Sequence, residues 1–177
     1  MSPAEPFPLR FERNARELRF RANGADGVTS IPVIRVLSQL RIHVGGGDVV
    51  LRECMVDTGA PISVFPKKTW MGLPEVCVEW LQPMDRVSAT ALRVRGLLNV
   101  VAPARIGLVE VSLRSEISGE YPPVVDSPRF RILAKFMQED SAFDRILLGM
   151  AGNGLDRWAT LEISFEDETA RLLARTS

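Results

Sequence analysis

The sequence is poor in the residues that most catalytic and metal sites use. It has a single histidine, His43, and two cysteines, Cys54 and Cys77. One histidine and two distant thiols offer no metal-ligand spacing. Two thiols also define no disulfide framework. A Ser-His-Asp or Cys-His site would have to recruit His43, and neither cysteine lies in a recognisable nucleophile context. Charge of one sign is absent too, because 22 Lys and Arg balance 22 Asp and Glu. That balance argues against a dedicated nucleic-acid or anionic-membrane binder. No apolar run approaches the roughly 20 residues of a membrane helix. Met1 to Pro8 shows no basic segment followed by an apolar one, so the expected compartment is the cytoplasm.

What is present is ordinary core material. Hydrophobic residues make up 46% of 177 and charged residues 25%, the profile of a soluble globular protein with one domain's worth of core. Alternating apolar residues dominate. Leu9, Phe11, Leu18 and Phe20 predict two short strands around Asn14-Ala15-Arg16, or an arm that pairs elsewhere. Asn23 to Gly27 is a flexible break. The expected division is therefore an N-terminal arm over 1–30 and a main domain over 31–177.

Pro32 to Val44 and Val49 to Val56 read as a hairpin around Gly45-Gly46-Gly47-Asp48. Those glycines lack the Gly-Lys-Ser/Thr ending of a phosphate loop. Pro66 to Pro83 predicts a short helix and a covering loop, with Trp70 and Trp80 as core or cleft-wall residues, like Trp158 further on. Strand character returns from Arg86 to Leu113, broken at Gly96, Pro103 and Gly107, and again over Phe130 to Met137 and Ile146 to Gly149. Residues 150–157 suit one or two helical turns. Ala159 to Phe165 and Ala170 to Ala174 predict a closing hairpin. Many short strands with one or two short helices give an all-β sandwich or small barrel.

The segment that carries chemistry is Cys54-Met55-Val56-Asp57-Thr58-Gly59-Ala60-Pro61-Ile62-Ser63-Val64-Phe65. It places a carboxylate at the mouth of a tight turn between two apolar strands. Gly59 lets the backbone bend sharply, and Thr58 can hydrogen-bond backbone groups of the loop. An acid there can also simply hold the turn together. These residues resemble the aspartic proteases, in which Asp-Thr/Ser-Gly follows two apolar residues. Ala60 points to the retroviral-type, retropepsin-like branch. A second family element, apolar residues before a glycine, matches Ile146-Leu147-Leu148-Gly149, and the resemblance covers roughly residues 30 to 175.

The resemblance implies a small closed barrel of retropepsin type that acts as a homodimer. It implies that the segment ending at Gly149 threads beside the Asp57 loop, its glycine permitting the approach. It makes Asp57, Thr58 and Gly59 the catalytic loop. Ala60, Gly149, Arg95, Gly96 and Leu97 become substrate-binding, the last three in a flap hairpin over Arg93 to Ala104. Pro61 and Met150 stand where retroviral members have an acid and an arginine.

Peptide hydrolysis of this kind needs two carboxyl groups, and the chain has one motif. Val124-Val125-Asp126-Ser127-Pro128 imitates it, but proline occupies the glycine position. Asp57 must therefore meet Asp57 of a second copy, which a two-fold axis arranges naturally. The expected protein is a homodimeric aspartic endopeptidase acting on an extended peptide or protein, with no cofactor, no metal, no nucleic acid and no membrane. The alternative is a binding module that holds a peptide or partner strand on the same barrel without cutting it.

Overall fold

The computed structural model describes residues 6–22, 25–58, 60–82, 84, 93–95, 101–115, 125–140, 144–150, 155–157 and 159–175. The order of elements is β1 (Phe7–Ala22), β2 (Ala25–Gly45), β3 (Asp48–Asp57), β4 (Ser63–Phe65), α1 (Lys67–Trp70), β5 (Val78–Leu81), β6 (Arg93–Arg95), β7 (Val101–Arg114), β8 (Phe130–Met137), β9 (Ile146–Gly149), β10 (Ala159–Ser164) and β11 (Thr169–Ala174). Two 3₁₀ turns, Glu75–Cys77 and Leu155–Arg157, complete the set. Among the described residues, no helix is long and apolar enough to cross a membrane.

Six strands close a barrel in the order β2-β3-β9-β4-β8-β7, with β7 returning to β2 through Gln39↔Arg114 to Ile42↔Val111. Closure removes the open edges that a flat sheet of this length would present. Period-two alternation fills the interior: Leu40 and Ile42, Cys54 and Val56, Val109 and Val111, Ile132 and Phe136, and Ile146 and Leu148 are all buried. Phe136 is the hub of an aromatic group, with ring centroids 4.9 Å from Phe65, 5.8 Å from Trp70 and 5.0 Å from Trp80.

Outside the barrel, β10, β11 and the start of β1 form a second, smaller ladder. Its Phe7, Leu9, Ala159, Ala170 and Leu172 join the same core cluster.

Several local expectations change. β1 is one continuous strand rather than two around Asn14-Ala15-Arg16, because every residue from Arg10 to Ala22 has a partner on β2. Ala22 lies opposite Ala25, so Ala25 to Gly27 belong to β2 and not to a break. β2 runs through positions 30 and 31 without interruption. β7 passes through Pro103 and Gly107: Pro103 pairs with Arg93 on the short β6, and Gly107 lies under Val78 and Phe136. The helical turns expected over 150–157 are the single 3₁₀ turn Leu155–Arg157, with 151–154 outside the described residues. The glycine hairpin is as expected, Gly45, Gly46 and Gly47 having φ of 96°, 61° and 91°, a region only glycine enters freely.

Candidate functional site

Asp57 is the last residue of β3, and β9 lies alongside it in parallel. The register pairs Cys54 with Ile146, Met55 with Leu147, Val56 with Leu148 and Asp57 with Gly149. On its other side β9 meets β4 in the antiparallel sense, Val64 against Leu147. The chain therefore leaves β3 at Asp57, loops through residues 58–62, and returns as β4 on the far side of β9. The end of β9 is enclosed by that loop.

The enclosure is tight. A Cβ on Gly149 would stand 2.7 Å from the Ala60 carbonyl oxygen, 2.8 Å from the Ile62 carbonyl carbon and 3.0 Å from the Ser63 nitrogen. All three are backbone atoms, so no side-chain rotation relieves the clash. Only glycine lets the segments approach this closely. Two hydrogen bonds exploit the proximity: the Gly149 N–H donates to Ser63 Oγ at 3.1 Å, and the Met150 N–H donates to the Ala60 carbonyl at 3.2 Å. Within the loop, the Ala60 N–H donates to the Asp57 carbonyl at 3.3 Å. Asp57 is half-buried and Thr58 exposed.

The opposite end of the β3–β9 pair is held by charge. Arg145 Nε lies 2.7 Å from Glu53 Oε1, and Arg10 reaches the same carboxylate at 2.6 Å and Glu12 at 3.2 Å. These partly exposed groups tie β1, β3 and the residue before β9 together, a network that sums several modest pairs.

Beside the Asp57 loop is an open cleft of about 450 Å³. Thr58, Met150, Leu161, Ile163 and Phe165 contribute to its wall, with Asp156 and Arg175 also present. The wall is largely apolar. Phe165, at the turn after β10, is 62% exposed and meets Phe11 edge-on at 6.4 Å.

The sequence-derived residues thus divide. Asp57, Thr58, Ala60 and Gly149 come together at one place. Arg95 lies on β6 paired with Val101, but its side chain, and the whole of Gly59, Gly96, Leu97 and Trp158, fall outside the described residues. Asp126 is remote from this loop and forms a latch on the barrel wall: it forms an isolated bridge with Arg114, accepts from Arg114 Nε at 3.0 Å, and pairs with Arg41. The Arg114 hydrogen bond foremost, then the Arg114 and Arg41 charges, hold its carboxyl below the usual range. His43 is half-buried, its Nε2 3.0 Å from the buried Ser112 Oγ. Burial and then the Arg129 charge lower its pKa.

Ser63 is the site residue that sequence reasoning passed over. Its signal was a hydroxyl within the apolar run Ile62-Ser63-Val64-Phe65, since a buried polar group needs a partner. At 1% exposure it finds one in Gly149. Among the described residues, no group of three His, Cys, Asp or Glu side chains could hold a metal ion. No family model, no curated protein and no solved structure matches this chain.

Proposed function

We propose that the protein is a homodimeric aspartic endopeptidase in which Asp57 of two chains forms the catalytic pair. The observation that carries the reading is the enclosure of Gly149 by the Asp57 loop, with Asp57 and Gly149 opposite one another in parallel register. That arrangement braces a short loop from behind by backbone atoms, so the carboxylate at its mouth is presented by a rigid support. Rigid presentation is what a positioned acid or base requires.

In this reading one Asp57 is ionised and takes a proton from a water molecule. The other is protonated and polarises the scissile carbonyl, giving its proton to the carbonyl oxygen as the water oxygen bonds to carbon. The C–N bond then breaks: the amine leaves with the proton first taken from water, while one hydroxyl of the tetrahedral intermediate returns its proton to the second Asp57, which restores the starting pair. Two carboxylates about 3 Å apart cannot both ionise, so the pair shares one proton and works best at acid to mildly acid pH. Thr58 braces the two loops across the axis. Gly59 and Ala60 shape the loop and cleft floor. Arg95, Gly96 and Leu97, in the β6–β7 hairpin, close over an extended peptide bound by strand-like hydrogen bonds. The chemistry requires no metal and no organic cofactor, and the barrel is read as of retropepsin type.

A second reading, a module that binds a peptide or partner strand without turnover, has one observation in its favour. Met150 lines an apolar cleft wall, where the resembling enzymes carry an arginine paired with an acid at the position of Pro61. Digestion of a denatured protein across acid pH separates the two. The enzyme reading expects cleavage that a statine-like transition-state mimic blocks and that Asp57→Asn abolishes. Persistence of cleavage in Asp57→Asn refutes it, and peptide binding without turnover in the parent chain selects the module.

A further inference from the structure

β10 ends the strand order. β11 is bonded on both sides, to β10 and to β1, and β1 is bonded to β11 and β2, so the first and last strands are already engaged within the chain. Among the described strands β10 pairs with β11 alone. Its outer edge therefore presents a row of backbone donors and acceptors. Natural edges are commonly protected by lysine, proline or a bulge. The β10 sequence, Ala-Thr-Leu-Glu-Ile-Ser, has none of these residues. Its one charge, Glu162, is engaged by Arg171 of β11 at 2.9 and 3.1 Å.

This edge borders the cleft that Thr58 enters. Leu161 and Ile163 line the cleft with Thr58, Met150 and Phe165, and the exposed Thr160 also reaches it, while the exposed Glu162 does not. We infer that β10 is the seat of a second copy of this chain, the two β10 strands pairing antiparallel about a two-fold axis through Leu161. The inference rests on the proposed function for its choice of occupant, since the Asp57 chemistry is incomplete in one chain.

The strand's own sequence favours this register. An axis through Leu161 sets Thr160 opposite Glu162 of the partner subunit, twice over. It sets Ala159 opposite Ile163 of the partner subunit on the cleft face. An axis one residue pair further on would oppose the two Glu162 carboxylates, which like-charge repulsion disfavours. Because an axis perpendicular to the sheet keeps faces matched, the two apolar clefts join into one, and each Thr58 loop borders it. The two β10 strands then continue one ladder across the axis, overlapping over Ala159 to Ile163.

The test uses the full chain in sedimentation and hydrolysis assays, with substitutions at exposed Thr160. Thr160→Glu places a carboxylate opposite Glu162 of the partner subunit at both pairs. It is expected to weaken dimerisation about tenfold, an effect that added salt reduces. Thr160→Lys is expected to bind at least as tightly as the parent. In a Cys77→Ser background, Thr160→Cys with Glu162→Cys is expected to give a covalent dimer on oxidation. A monomer at all concentrations, or a dimer indifferent to Thr160→Glu that does not crosslink, overturns the inference. So does uptake of an extended peptide that is sensitive to Thr160→Glu, with no change in the protein's mass. A dimer crosslinked through β10 but without Asp57-dependent hydrolysis upholds the inference and removes the proposed function. Asp57-dependent hydrolysis by a dimer indifferent to Thr160→Glu and without the crosslink does the reverse.

Discussion

A methyl group at position 149 would meet three backbone atoms of the Asp57 loop within 3.0 Å. Gly149→Ala must therefore push the loop and β9 apart. The expected cost is about 1–3 kcal/mol, the range for overpacking a filled site. It is read as a lower denaturant midpoint at unchanged slope. Activity should fall further than stability, because the carboxylate moves with the loop. The glycine's meaning was legible in sequence through its place after Ile146-Leu147-Leu148, whereas Ser63's partnership was not, since a lone hydroxyl does not announce its acceptor or donor. Asp126 shows the converse: a sequence that imitates the motif, in which proline excludes the turn and three-dimensional placement supplies two arginines instead. Its carboxyl is held low in the folded protein, so its contribution to stability is present above the unfolded value near 4 and is lost as pH falls through the lower folded value. Asp126→Asn should therefore lower stability near pH 7, by no more than about 1 kcal/mol given the pair's exposure. The difference from the parent chain should vanish in strong acid. Persistence of the full difference below both values would contradict the latch. The thiols give a third check. Burial pushes Cys54 up to about 12, and Cys77 is raised less steeply at a half-buried position. A thiol reagent should modify Cys77 alone in the native protein and both residues after denaturation.

At the scale of elements, β8 and the β10–β11 hairpin follow from apolar residues bounded by proline or a polar turn, and β9 from a short continuous apolar run stopped by glycine. β7 does not, because proline and glycine normally interrupt a ladder. Pro103 is tolerated where β7 pairs with the three-residue β6, and Gly107 is used where Val78 Cγ1 would stand 2.6 Å from a Cβ. β1 likewise reads as two pieces because charged residues dilute its pattern, yet its pairing partner, β2, keeps it in one. Which strands pair, and that β9 inserts between β3 and β4, is not written in local periodicity at all. Among side chains that hold the elements together, Phe136 on β8 touches Phe65 of β4, Trp70 of α1 and Trp80 of β5. Phe136→Ala should cost about 3–5 kcal/mol. A loss below 1 kcal/mol in chemical denaturation would mean the aromatic group is not the joint between these elements.

The described residues combine a closed six-stranded barrel with a short outer ladder in which β10 pairs, among the described strands, with β11 alone. All-β character could be read from the strand pattern, which sandwich and barrel share; closure could not be read from that pattern, but the closed barrel that the resemblance implied is present. The barrel fixes Asp57 at a strand end beside an apolar cleft, and the proposed hydrolysis needs a second chain to bring a second carboxylate there. The direct test is a mixing experiment at constant total protein, in which parent chains and Asp57→Asn chains are exchanged and hydrolysis of an extended peptide is measured at acid pH. With exchange complete and every mixed dimer inactive, activity should follow the square of the parent fraction. A linear dependence, or no hydrolysis by the parent chain at any pH, would contradict the account.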